Sequence, residues 1–276
     1  MVGAGIARTV RRIPARALAA ALACLLAFAL AGAGCGGDDG DAGTTAAGDA
    51  GGDLVVSAAT SLKQAFEQYG EQLGGDVRFQ FAGSDELAAQ IRQGVRPDVF
   101  ASANTTLPDE LHREGLLGEP AVFAANRLVI AVPADDARVR SVADLAQPGT
   151  TIAIGSESVP IGAYARSVLA RLGSGQSDAI LANVRSNEPD VGGVVGKVSQ
   201  GAVDAGFVYV TDVEGAGGKL RAIELPARIQ PSVAYATAVV DGAEHPAAAR
   251  RFVDGLLSGA GAAALRAAGF APPPPG

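Results

Sequence analysis

Leu54-Val-Val-Ser-Ala-Ala-Thr-Ser61-Leu62 and Val77-Arg-Phe-Gln-Phe-Ala-Gly-Ser84-Asp85 share one design: an apolar run of strand length closes on small residues and a serine, and a helix-period segment follows. From Leu54 onward the unit recurs. Strands are predicted at 54–57, 77–81, 98–102, 127–132, 151–154 and 205–210, alternating with helices near 62–72, 85–93, 106–115, 162–172 and 191–200. Such alternation specifies α/β layers with largely parallel strands, and these folds place ligands in the crevice beyond the carboxyl ends of the strands. Both serine junctions lie at such ends.

The first N–H groups of a helix have no intrahelical partner, and the peptide dipoles concentrate positive charge there, so each junction can hold a small anion without lysine or arginine. The same serines also read as helix caps. Ser61 with Gln64 has the spacing of a capping box, and Ser84 before Asp85-Glu86 has the form of an N-cap with acids in the first turn. A hydroxyl donates once and accepts twice, so the two roles are compatible.

Ahead of this body, Arg8, Arg11, Arg12 and Arg16 precede an uncharged, Ala- and Leu-rich stretch from Ala17 to Gly34. That is the pattern of a signal peptide over residues 1–34; an uncleaved N-terminal span is the alternative. The segment Gly32-Ala-Gly-Cys35 resembles a bacterial lipoprotein processing box, which implies that Cys35 becomes the lipidated first residue. Cys24 falls in the discarded part, so Cys35 would stand alone and no disulfide or cysteine metal site is available. Residues 35–53 form a Gly/Asp/Ala/Thr spacer unable to build a core.

The formal charge is −7, and removal of the four leader arginines takes it to −11. No basic run exists, which argues against a nucleic-acid partner. The roughly 220 residues after the spacer exceed one typical domain, and Arg127-Leu-Val-Ile-Ala-Val132 reads as a fresh start. The long strand Ser232-Val-Ala-Tyr-Ala-Thr-Ala-Val-Val240 precedes helices near 246–258 and 260–267 that need a sheet to cover. The expected organisation is one lobe from 54–126 plus 234–270, a second from 127–233, and a Pro-rich tail at 271–276.

Three further segments lie at helix entrances or strand ends of the second lobe: Glu157-Ser-Val-Pro-Ile-Gly-Ala-Tyr164, Asn187-Glu-Pro-Asp-Val191-Gly-Gly and Asp204-Ala-Gly-Phe-Val-Tyr209. Taken singly they are a turn, a helix start and a buried strand end whose tyrosine needs a hydrogen-bond partner. With Ala58-Ala-Thr-Ser-Leu62, Phe81-Ala-Gly-Ser84 and Pro97-Asp-Val-Phe-Ala-Ser-Ala103 they form an ordered set. In that set the chain resembles the molybdate-binding proteins of bacterial ABC transporters, from Leu54 to about Phe270.

The resemblance implies a two-lobed periplasmic-binding-protein-like fold, each lobe a mostly parallel sheet flanked by helices, with the ligand in the cleft between. It implies that Ser61 and Ser84 bind oxyanion oxygens of molybdate or tungstate through hydroxyl and backbone N–H, that Ile161 and Val191 donate backbone N–H groups, and that Tyr209 donates its phenol. It further implies a monomer, exported and held at the extracytoplasmic membrane face or in the periplasm, that delivers its ligand to an ABC permease. No cofactor is expected; molybdenum enters only as the oxyanion.

A fully deprotonated tetrahedral dianion offers acceptors only, which suits a pocket of neutral donors. Hydrogen phosphate keeps one proton and needs an acceptor, which Asp85 or Asp190 could supply; sulfate differs mainly in size, and a carboxylate could engage Arg127. An enzyme is the remaining class. Thr60-Ser-Leu-Lys63 misses the Ser-x-x-Lys motif because threonine replaces the nucleophile, and His112 and His245 lie far in sequence from both serines, so a serine hydrolase is disfavoured. Gly192-Gly-Val-Val-Gly-Lys197 is one residue short of a P-loop and reads as a helix start.

Overall fold

The computed structural model describes residues 53–74, 76–135 and 138–274; the signal peptide, Cys35 and the spacer up to residue 52 lie outside them. Among the described residues, ten strands form two five-stranded sheets. The first, in the order β2-β1-β3-β10-β4, contains β1 (Leu54–Ala59), β2 (Val77–Ala82), β3 (Val99–Ser102), β4 (Ala121–Asn126) and β10 (Val233–Val239). The second, β7-β6-β8-β5-β9, contains β5 (Leu128–Pro133), β6 (Ile152–Gly155), β7 (Val184–Glu188), β8 (Ala205–Tyr209) and β9 (Leu220–Glu224).

Each sheet is mostly parallel, with one strand reversed. In the first, β1 pairs parallel with β2 and β3, while β10 lies antiparallel to both β3 and β4. In the second, β6 pairs parallel with β7 and β8, and β5 is antiparallel to both β8 and β9. The reversed strands are those with which the chain enters the second sheet and returns to the first. Arg127 alone separates β4 from β5, and the return runs from β9 through a 3-10 turn at Ala227–Ile229.

The helices are α1 (Lys63–Leu73), α2 (Ser84–Arg92), α3 (Thr106–Arg113), α4 (Pro160–Ala170), α5 (Ser174–Ala182), α6 (Val191–Ser199), α7 (Val210–Gly215), α8 (Pro246–Ser258) and α9 (Ala260–Ala267). The last two return to the first lobe: Phe252 of α8 meets Phe66 of α1 edge-on at 5.4 Å, and Tyr69 of α1 donates to the Phe252 carbonyl. Beyond α9, Ala271 is tied to β4 by two backbone hydrogen bonds with Ala125, so the Pro-rich tail begins anchored.

Five elements lie outside the predicted set: β4, β7, β9, α5 and α7. Three of them are edge strands, and β7 (Val-Arg-Ser-Asn-Glu) carries the polar residues that keep an edge from pairing further. The α5 sequence, Ser-Gly-Gln-Ser-Asp-Ala-Ile-Leu-Ala, buries only Ile180 and presents no apolar stripe.

Asp98, at the entrance of β3, ties the lower end of the first sheet together. Its buried carboxylate accepts from Val55 N (2.8 Å), His245 N (2.7 Å) and His245 Nδ1 (3.3 Å). Asp98→Ala strands two backbone donors, and a loss of about 3 kcal/mol is expected in urea unfolding.

Candidate functional site

The carboxyl ends of β1 and β2 and the loop after β3 face the N-termini of α4 and α6 and the end of β8 across a small cavity. Ser61, Ser84, Ile161, Val191 and Tyr209 all line it, together with the acidic Asp190, and no lysine or arginine does. Arg127 pairs at the surface with Glu224 (2.9 Å) and is absent from the lining.

Neither serine is a helix cap. Ser61 sits inside a 3-10 turn, Thr60–Leu62, whose N-cap is Ala59, and α1 begins at Lys63 after Leu62. Ser84 is the first residue of α2, after the N-cap Gly83. The Ser61 hydroxyl instead lies 3.0 Å from Tyr235 Oη, and Ser84 Oγ accepts from Ala103 N at 3.1 Å. The capping reading fails because tertiary partners in β10 and after β3 take both side chains.

In the second lobe, Pro160 opens α4, which makes the N–H of Ile161 the first free donor of that helix. Val191 opens α6 after Asp190, whose Oδ1 accepts from Gly193 N at 2.9 Å. Asp190 Oδ2 accepts from Thr60 Oγ1 at 3.0 Å, a hydrogen bond that crosses between lobes. In the sequence Thr60 reads only as a threonine where Ser-x-x-Lys needs its nucleophile, and no local pattern links it to a residue 130 positions away.

Tyr209 is buried, and its phenol oxygen has no hydrogen-bond partner within the protein. Burial, reinforced by Tyr235, Tyr164 and Asp212, holds the phenol well above its ordinary titration range, so it remains a donor at physiological pH. Its ring is fixed edge-on between Tyr164 (6.4 Å) and Tyr235 (5.8 Å).

Behind this ring, the Asp212 carboxylate accepts from Tyr209 N at 2.8 Å. Burial pushes Asp212 up to about 7, against the lowering effect of that N–H, and the charge of Asp190 adds to the rise. The folded form therefore favours neutral Asp212, and its contribution to stability, full below pH 4, declines as pH climbs and is gone above about 7. Asp212→Asn should raise the melting temperature by a few degrees at pH 8 and by less at pH 5; equal gains at both would show that titration is not the cause.

Two sheets with reversed crossing strands, enclosing a cavity of hydroxyl and helix-start donors, define a two-lobed ligand-binding protein of the periplasmic type. Residues 54–271 match the family model described as bacterial extracellular solute-binding protein, and the chain belongs to that family. It is similar to the molybdate-binding protein ModA of Mycobacterium tuberculosis (strain ATCC 25618 / H37Rv), with 39% identity over 213 residues, covering 75% of this chain and 79% of the relative. Among solved structures it resembles the Azotobacter vinelandii periplasmic molybdate-binding protein, with a TM-score of 0.72, 26% identity, and coverage of 80% of this chain and 100% of that one. The sulfate-binding protein SubI of Mycobacterium tuberculosis H37Rv, at a TM-score of 0.70 and 16% identity, covering 80% of this chain and 86% of that one, shares the fold alone.

Proposed function

We propose that the protein is the extracytoplasmic substrate-binding component of a molybdate or tungstate ABC transporter. Two lobes, 54–126 with 234–270 and 127–233, close on the tetrahedral oxyanion, which is transported cargo and undergoes no covalent step. Its oxygens are held by the Ser61 and Ser84 hydroxyls and neighbouring N–H groups, by the N–H groups of Ile161 and Val191, and by the Tyr209 phenol. The observation that supports this most is the buried, unpartnered Tyr209 hydroxyl in a cavity that has no cation in its lining and whose one carboxylate, Asp190, already accepts from Thr60 Oγ1 and Gly193 N. A ligand that only accepts hydrogen bonds satisfies the donors that remain.

Calorimetry of the purified protein with molybdate, tungstate, sulfate and phosphate tests the reading. Heat with the first two is expected; heat with sulfate or phosphate alone would overturn it. On the same reading the chain is exported, lipid-anchored through Cys35 and monomeric, and it docks its closed form on a membrane permease. Among the described residues no helix is long and apolar enough to cross a membrane. Cys35→Ser should move the protein from the membrane to the soluble fraction, whereas unchanged anchoring would indicate an uncleaved N-terminal span.

A further inference from the structure

The direction in which each serine hydroxyl points its proton decides whether it can serve an anion, and the two serines are oriented by different means. Ser84 Oγ receives the backbone N–H of Ala103 at 3.1 Å, so its own proton is left for another acceptor. Ser61 Oγ faces another hydroxyl, Tyr235 Oη at 3.0 Å, and that pair alone does not say which group donates.

The surroundings of Tyr235 do. Tyr235 is fully buried in β10 and does not line the cavity. Asn126, at the end of β4, directs Nδ2 to Thr211 Oγ1 (2.9 Å) and to Tyr235 Oη (3.5 Å). The amide cannot be reversed, because its Oδ1 receives the N–H of Arg127 at 2.8 Å, and a flipped side chain would set NH2 against that donor. Tyr235 Oη thus faces hydrogens on the Asn126 side, where its own proton cannot point. The Tyr209 hydroxyl makes no hydrogen bond, which leaves Ser61 Oγ as the acceptor for Tyr235.

We infer that Tyr235 is a positioning residue for ligand binding: the chain Asn126 N–H to Tyr235 O–H to Ser61 O–H runs one way and commits the Ser61 proton to the cavity. The inference rests on the functional reading above, in which Ser61 touches the anion, and extends it to a residue that does not. Ala103 performs the same task for Ser84. With both serine oxygens already occupied by a donor, each serine presents hydrogen to the ligand, which favours an anion that carries no proton.

A double-mutant cycle separates this role from a merely structural one. The cycle uses Tyr235→Phe, Ser61→Ala and the double variant, with calorimetric Kd measured for whichever of molybdate, tungstate, sulfate or phosphate gives heat with the wild type. Tyr235→Phe should weaken binding by about 5- to 10-fold in the wild-type background and less than about 2-fold when Ser61 is already alanine. Equal losses in both backgrounds, or none in the wild type, overturn the inference while the assignment of the anion stands. Ligand-free melting curves verify folding, and Asn126→Leu, which removes the donor from Tyr235 without touching it, should give a smaller loss of the same Ser61-dependent kind. If Tyr235→Phe fails to fold, the Asn126→Leu cycle decides alone. A wild type that gives heat with none of the four anions removes both readings.

Discussion

Tyr209→Phe should weaken molybdate binding by about 10- to 100-fold and leave the ligand-free protein no less stable. The two halves of this expectation have a common origin. A hydrogen bond to a charged acceptor contributes about 1.5–3 kcal/mol, and a buried hydroxyl without a partner contributes only its desolvation cost. The Tyr209 phenol makes no hydrogen bond inside the protein, while its ring is held by Tyr164 and Tyr235 in contacts that phenylalanine keeps. Calorimetry and urea unfolding on the same preparation read both quantities. Unchanged affinity with reduced stability would make the phenol a structural group and remove the main support for the oxyanion assignment.

Gly83→Ala is expected to weaken binding by about 5- to 150-fold without contacting the ligand, the range that follows from about 1–3 kcal/mol of overpacking. Gly83 has φ −60° and ψ 137°, which any residue adopts, so alanine adds no backbone strain there. A Cβ there would lie 2.5 Å from the carbonyl oxygen of Pro189 in the other lobe and 2.8 Å from Asp85 Oδ1. The Pro189 contact is backbone and cannot move unless the lobes separate. At Gly192 the nearest atom to an added Cβ is the Thr60 Cγ2 methyl at 2.9 Å, the tip of a side chain, so Gly192→Ala should cost less. Small-angle scattering supplies the independent reading: with saturating ligand, the Gly83→Ala protein should keep a larger radius of gyration than the wild type. Full compaction at wild-type affinity would show that the lobes do not meet at Gly83.

Much of this architecture is legible in the sequence, for reasons that differ by element. The central strands β1, β3, β5, β6 and β8 are buried on both faces and appear as apolar runs, and the helices that follow β1, β3 and β6 bury apolar faces. Edge strands such as β7 and β9 present one row of unpaired backbone to water, and their mixed composition resembles a loop. The five residues expected to meet at the site do line one cavity, because each stands at a strand end or helix start, places that local pattern marks well. What holds those residues in position is not legible. Tyr235, Asn126 and Thr211 come from three separate stretches of chain, and Thr60 meets Asp190 only through folding. The caps assigned to Ser61 and Ser84 fail for the same reason: a short-range signal was correct in form and was overridden by long-range partners.

The absence of a fixed positive charge from the cavity lining bears on how cargo leaves. A ligand clamped by a salt bridge must find a replacement counter-ion before it departs, and the clamp remains attractive even when half open. On the proposed reading attraction would come from several short-range contacts divided between two jaws, and a hydrogen bond fails within about an ångström of stretching. Prising the jaws apart removes half the contacts at once and admits water to the rest. Unloading is then a mechanical event that needs no change in charge, driven by whatever grips the two lobes from outside.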